Sequence, residues 1–230
     1  MLKYKKSIGA IQMKHLSKLI VLLLGGLLIM VSLGACGEKI PENRTKEQYE
    51  LEKEFQPLFD FLAEEKKDLS NVKLFSSKIF MMDESTGNKI SRSVYLQPDN
   101  TGEYIIEQEG QTTEFPVHYH NMKLQYDKEV SQEYDLDVLN LKLEPQFFKK
   151  LSVFDDMAKH PGTGMKRIDY DIVDTSKYFN NLKEKYGFKK DCSTNVDVMI
   201  NSKGHFELIL EFSDKGRLLV ITNSIMVDLE

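Results

Sequence analysis

Apolar positions recur along this chain with two different periods, and the change of period marks its elements. From Lys46, Leu51, Phe55, Leu58, Phe59 and Leu62 fall three and four apart, the spacing of one helix face. Glu52, Lys53, Glu64, Glu65, Lys66 and Lys67 occupy the other face, and Pro57 predicts a kink or a split. After Ser70 the period becomes two, and segments 72–82, 89–97, 103–108 and 112–119 read as strands. Between them lie Thr86-Gly87-Asn88, Asp99-Asn100-Thr101-Gly102 and Glu109-Gly110, each with a residue that tolerates positive φ. Turns that short join antiparallel neighbours only.

The segment 122–164 is less regular. Leu139, Leu141 and Leu143 alternate as in a strand, and Pro145 opens a helical pattern with Phe147, Phe148, Leu151, Phe154 and Met157 on one side. His160-Pro161-Gly162 would stop that helix. The last third is clearer. Segment 167–173 alternates, Asp174-Thr175-Ser176 offers an N-cap to a helix carrying Tyr178, Phe179, Leu182 and Tyr186, and Gly187 stands at its C-cap position. Strands at 196–200, 205–212 and 217–227 follow, joined by Asn201-Ser202-Lys203-Gly204 and Ser213-Asp214-Lys215-Gly216. Strands and helices segregate, so the expected class is α+β: antiparallel β-sheet meanders with helices packed on one face. The two halves, 46–130 and 131–230, share a helix-then-meander layout.

The first 35 residues are different in kind. Lys3, Lys5, Lys6, Lys14 and Lys18 precede an apolar run from Leu19 to Leu33, with no acidic residue in the stretch. A basic segment, an apolar run of about 15 residues and small residues before a cut form a secretory signal; a spanning helix needs about 20. Leu33-Gly34-Ala35-Cys36 ends it, and this is a lipobox: the expectation is a diacylglyceryl thioether on Cys36, cleavage before it and acylation of its new N-terminus. The domains expected are thus a cleaved signal peptide (1–35), a lipidated Cys36 with a short tether (36–45) and an α+β domain (46–230). Met13-Lys14-His15 offers a second translation start.

That division changes the charge. The whole chain carries −5, and residues 36–230 alone carry −10. An acidic exported part is repelled by anionic headgroups, so the covalent lipid is what would hold it at the membrane. Nucleic acid is excluded as a partner for want of a basic face. Of the two cysteines, Cys36 is committed to lipid and Cys192 stands alone, so no intrachain disulfide forms.

Motifs for catalysis are missing: there is no Gly-x-Ser-x-Gly, His-Glu-x-x-His, phosphate loop or dinucleotide fingerprint. His118 and His120 share one strand face and offer half of a metal site, for which His160, His205, Cys192 or a carboxylate would have to supply the rest. Exposed or packed histidines at a strand end are the commoner meaning of such a pair. Asp155-Asp156 and the pair Asp169/Asp171 read as solvated faces, Met81, Met82, Phe147 and Phe148 as core, and Cys192 as a loop thiol. No cofactor is expected.

The lipobox at Cys36 resembles that of the staphylococcal tandem-type lipoproteins, and similar patches lie inside the domain. They are Ser91-Arg92 at a strand start, Phe115-Pro116-Val117 with His120-Asn121 after it, Tyr170, Tyr178 with Leu182 to Tyr186, and the strand from Phe206 to Phe212. The resemblance implies a non-enzymatic, membrane-anchored protein on the extracellular face of a low-GC Gram-positive cell. It also implies association with virulence and interaction with host proteins, the lipid being of the kind that innate immune receptors sense. It brings no catalytic residues. A second function consistent with the residues is a cell-envelope lipoprotein binding a metal or small ligand through His118 and His120.

Overall fold

Ten strands join into one sheet in which every neighbouring pair is antiparallel. The computed structural model describes residues 39–157, 164–171 and 177–228, so the lipobox residues Leu33, Gly34, Ala35 and Cys36, and the proposed helix signals at 160–162 and 174–176, lie outside the described residues. Strands β1 (Leu74–Asp83), β2 (Asn88–Leu96), β3 (Thr101–Gln108), β4 (Gln111–His120) and β5 (Lys123–Tyr126) step outward toward one edge. From the opposite edge, β6 (Ser152–Met157), β7 (Lys166–Asp171), β8 (Ser193–Ile200), β9 (His205–Asp214) and β10 (Arg217–Met226) step inward. The last strand then pairs with the first, Leu74 opposite Met226 through Asp83 opposite Arg217.

The helices are α1 (Lys46–Glu54), α2 (Gln56–Ala63), α3 (Leu136–Leu139), α4 (Pro145–Lys150) and α5 (Lys177–Lys185). This corrects the expected α+β class. No helix among the described residues exceeds nine residues, and the two meanders are not separate sheets, each with its own helix, but one ten-stranded antiparallel β-sheet with short helical inserts. The reason is the ten-residue β1–β10 register, which hydrogen-bonds one meander to the other along a full strand length.

Local chemistry explains most boundaries. Thr45 caps α1 with a reciprocal box, its hydroxyl accepting from the Gln48 amide and its own amide donating to Gln48 Oε1. Pro57 splits the predicted helix, as it sits in the first turn of α2 where its missing N–H costs nothing. Glu109-Gly110 and Lys215-Gly216 join their strands with both residues left-handed, the backbone that a two-residue hairpin requires. Gly102 is required for a different reason, because a Cβ there would lie 1.9 Å from the Tyr95 carbonyl oxygen.

Two expectations fail in the middle of the chain. Leu139, Leu141 and Leu143 do not form a strand: Leu139 ends α3, and the other two point into the core from an irregular segment. The helix predicted from Pro145 to Met157 stops at Lys150, and 152–157 becomes β6 against β7. A register shift between Val153 and Asp155 leaves Phe154 outside the pairing and 80 % exposed.

One face of the sheet is covered and apolar. Phe75, Ile79, Val94, Tyr104, Leu210 and Ile221 are buried on it. Helix aromatics join this layer: Phe61 packs on Phe75 (5.4 Å between ring centroids), Phe148 on Tyr170 (5.8 Å) and Phe179 on Phe212 (6.0 Å). Arg44 locks the N-terminal approach onto this body. Its buried guanidinium donates to the carbonyls of Leu151 (2.7 Å), Phe148 (2.9 Å) and Asn43 (2.9 Å) and to Glu52 Oε1 (2.8 Å), which also accepts from the Tyr170 hydroxyl (2.8 Å). The Phe148 and Leu151 carbonyls lie at the C-terminal end of α4, where a cation is favoured; the first also accepts from the Leu151 amide (3.1 Å) and the second from the Asn43 side-chain amide (3.1 Å). Replacing Arg44 with Met will lower unfolding free energy by about 3 kcal/mol, since it leaves the nearly buried Glu52 carboxylate without its cation and takes one donor from each carbonyl. Urea unfolding against a Lys53→Ala control measures it.

Candidate functional site

The histidine pair is placed as the spacing predicts, with His118 and His120 on β4 and both pointing to the uncovered face. Among the described residues their surroundings do not gather a metal centre. His120 lies opposite Lys123 and His118 opposite Gln125, while the His118 ring stands 3.8 Å from the Asp127 carboxylate. His205 is on β9 beside Glu207, and His160 lies outside the described residues. Among the described residues no group of three His, Cys, Asp or Glu is gathered as metal ligands would be. Cys192 is a half-buried thiol packed at the edge of the core.

The carboxylates pair differently from their spacing in sequence. Asp169 does not act with Asp171; it faces Asp197 directly across the β7–β8 ladder on the uncovered face. Arg167 bridges Asp169 (2.7 Å) and Asp155 (3.4 Å), and Glu211 stands near on β9. Burial, and then the adjacent Asp169 charge, push the Asp197 carboxyl up to about 6, and burial also raises Asp169.

A cleft on the covered face is the better site. Its floor is Met81 of β1 and Arg92 of β2, and its volume is about 550 Å³. One wall is the loop before α3. Three tyrosines fasten this loop to the sheet: Tyr104 donates to the Gln132 carbonyl (2.9 Å), the Tyr126 hydroxyl accepts from the Tyr134 amide (2.9 Å), and Tyr134 donates to Ser77 Oγ (2.8 Å). Burial raises the phenols of Tyr104, to about 12, and of Tyr134, so both remain neutral donors. The other wall is the end of α5. There Asp135, which caps α3, accepts from Lys185 Nζ (2.9 Å) and from the Tyr186 hydroxyl (2.6 Å). Burial alone would raise the Asp135 carboxyl, but the hydrogen bonds from Tyr186 and Lys185 outweigh it and keep it below its ordinary value.

Arg92 is the unusual residue here. It is only 9 % exposed, its Nε is buried without a partner, and no hydrogen bond or ion pair engages it among the described residues. Its strand neighbours on this face, Ile79 and Ile106, are apolar. A nearly buried cation without a counter-charge is costly to keep, and an anion in the cleft is the group that would pair with it. Ile90, Arg92, Val94 and Leu96 alternate, so the arginine occupies a position that the pattern reserves for an apolar residue. That was the signal available in the sequence, which otherwise marks Ser91-Arg92 only as part of a resemblance.

Neither a family profile nor a curated protein matches the chain. Among solved structures it is similar to a LolA superfamily protein from Nitrosomonas europaea, at 9 % identity over 76 % of this chain and 94 % of that one, with a TM-score of 0.24. It is also similar to a chain of the MucA/MucB complex of Pseudomonas aeruginosa, at 7 % identity over 76 % and 94 %, with a TM-score of 0.14. TM-scores below 0.5 do not establish a shared fold.

Two outcomes follow from this geometry. Arg92→Met will stabilise the free protein by about 1–3 kcal/mol in thermal or urea unfolding, because it removes an unpaired buried charge from among isoleucines. An acid with a raised folded pKa binds protons better folded than unfolded, so the Asp169–Asp197 pair destabilises at neutral pH and this penalty fades as pH falls from about 7 to 4. Asp197→Asn will therefore raise stability by about 1 kcal/mol at pH 7.5, after allowance for solvent screening, and will have little effect at pH 4.5.

Proposed function

We propose that this chain is a membrane-anchored bacterial surface lipoprotein that acts by binding and not by catalysis. The observation that carries the binding half is the cleft floored by Arg92, a preformed cavity with a buried cation that lacks a counter-charge. The fixed phenols and the Lys185–Asp135–Tyr186 network hold its walls in place, which suits recognition. The anchoring half rests on Leu33-Gly34-Ala35-Cys36 after the basic and apolar segments. Two acyl chains suffice for stable attachment. Asn43 donates to the carbonyls of Lys149 and Leu151, so chain free to act as a tether ends before it, and the domain stands close to the bilayer. The partner is a macromolecule of the host surface or the bacterial envelope.

Metabolic labelling with a tagged fatty acid in a Gram-positive host tests the anchor: wild type takes the label and Cys36→Ala does not, and equal labelling overturns it. The same cells test the binding site. They will take up a partner saturably from host-surface or envelope extract, and Arg92→Met will lose that uptake; uptake unchanged in Arg92→Met removes the cleft from the proposal.

A further inference from the structure

We infer that the Arg92 cleft takes a monoanion bearing one ring-sized apolar group, a specification that rests on the reading of this cleft as the binding site. The anionic half follows from the guanidinium. Its planar fork of donors matches a carboxylate, which accepts two parallel hydrogen bonds from it.

The apolar half follows from what adjoins it. Ile90 lies on the same strand and face as Arg92, two residues away, which is about 7 Å along a strand. Ile90 lines a second, mostly apolar hollow of about 190 Å³ with Met82, Phe188 and Leu218, and Asp83, Asn88 and Arg217 stand at its border. Met81 and Tyr186 border both this hollow and the larger cleft, so the two adjoin. A closed apolar cavity of about 150 Å³ accepts benzene, and this open, mostly apolar hollow has room for a single ring or a branched aliphatic group and not for a long acyl chain.

The rim sets the charge. Glu133 is exposed at the mouth with no ion pair among the described residues, and Asp137 stands beside it, held by Lys185 at 2.9 Å. These carboxylates repel a second negative charge, so nucleotides and polyphosphates are disfavoured. Two sources supply the matching chemistry: a free arylalkyl or branched carboxylic acid, or the C-terminal carboxylate of a peptide ending in an aromatic or branched residue.

Calorimetric titration of the full chain in lipid nanodiscs, with empty nanodiscs as the blank, tests this. The probes are 3-phenylpropionate, acetate, 3-phenylpropan-1-ol, and Gly-Gly-Gly-Phe as its free acid and as its amide. The two acids with a ring will bind 1:1, with acetate, the alcohol and the amide weaker by about tenfold or more. Arg92→Met will abolish that preference for the acids, Arg92→Lys will retain part of it, and Ile90→Thr will weaken only the ring-bearing ligands. Tighter binding of the peptide acid assigns the chain-terminus source, and tighter binding of 3-phenylpropionate assigns the free acid and overturns the macromolecular partner. If acetate binds as tightly as 3-phenylpropionate, the apolar specification fails and the anion site stands. If no anion binds with dependence on Arg92, the site itself fails as well.

Discussion

The pairing of β1 with β10 is the constraint on which the rest depends. Each meander alone would have an apolar face and an open edge in the middle of the final sheet, and the ten-pair register closes both edges at once. It also assembles the cleft. Met81 and Arg92 come from the first meander, whereas Lys185 and Tyr186 come from the segment between strands of the second. The floor and one wall meet only because the first and last strands are neighbours.

Two buried arginines show how burial alone fails to identify a site. Arg44 and Arg92 are both nearly inaccessible to water. Arg44 has four acceptors, one of them the Glu52 carboxylate and two of them carbonyls at the end of a helix, so its charge is consumed by structure. Arg92 has isoleucines on either side and a cavity in front. Only the second retains capacity to bind something else. The same contrast separates Asp135, kept ionised by Lys185 and Tyr186, from Asp197, whose carboxyl is raised by burial and the adjacent Asp169.

Legibility in the sequence followed the range of the deciding interaction. Hairpins with Gly110 or Gly216 were readable because the turn is decided by two residues, and the split at Pro57 was readable for the same reason. β5 was missed because its turn, Asn121-Met122, holds left-handed backbone at both residues without any glycine. The 145–157 segment was misread as helix because Phe147, Phe148, Leu151 and Phe154 keep a helical spacing, while the deciding partner is β7. The α+β class failed for a related reason: pairing between the first and last strands leaves no trace in local periodicity. The site was the least legible part, since the cleft over Arg92 is walled by Tyr134 and Tyr186, far from it in sequence.

The β1–β10 register also dictates when this protein can fold. Synthesis delivers β1 near the start of the domain and β10 at its end, so the central ladder has the longest loop closure in the molecule and forms last or together with everything else. Until then β1 has only β2 beside it, and the edge bearing Phe75 and Ile79 is open to any strand that reaches it. A chain that stops before Arg217 lacks the joining strand altogether and retains two sticky half-sheets. Folding is therefore a property of the completed chain, and the binding cleft cannot exist on a nascent one.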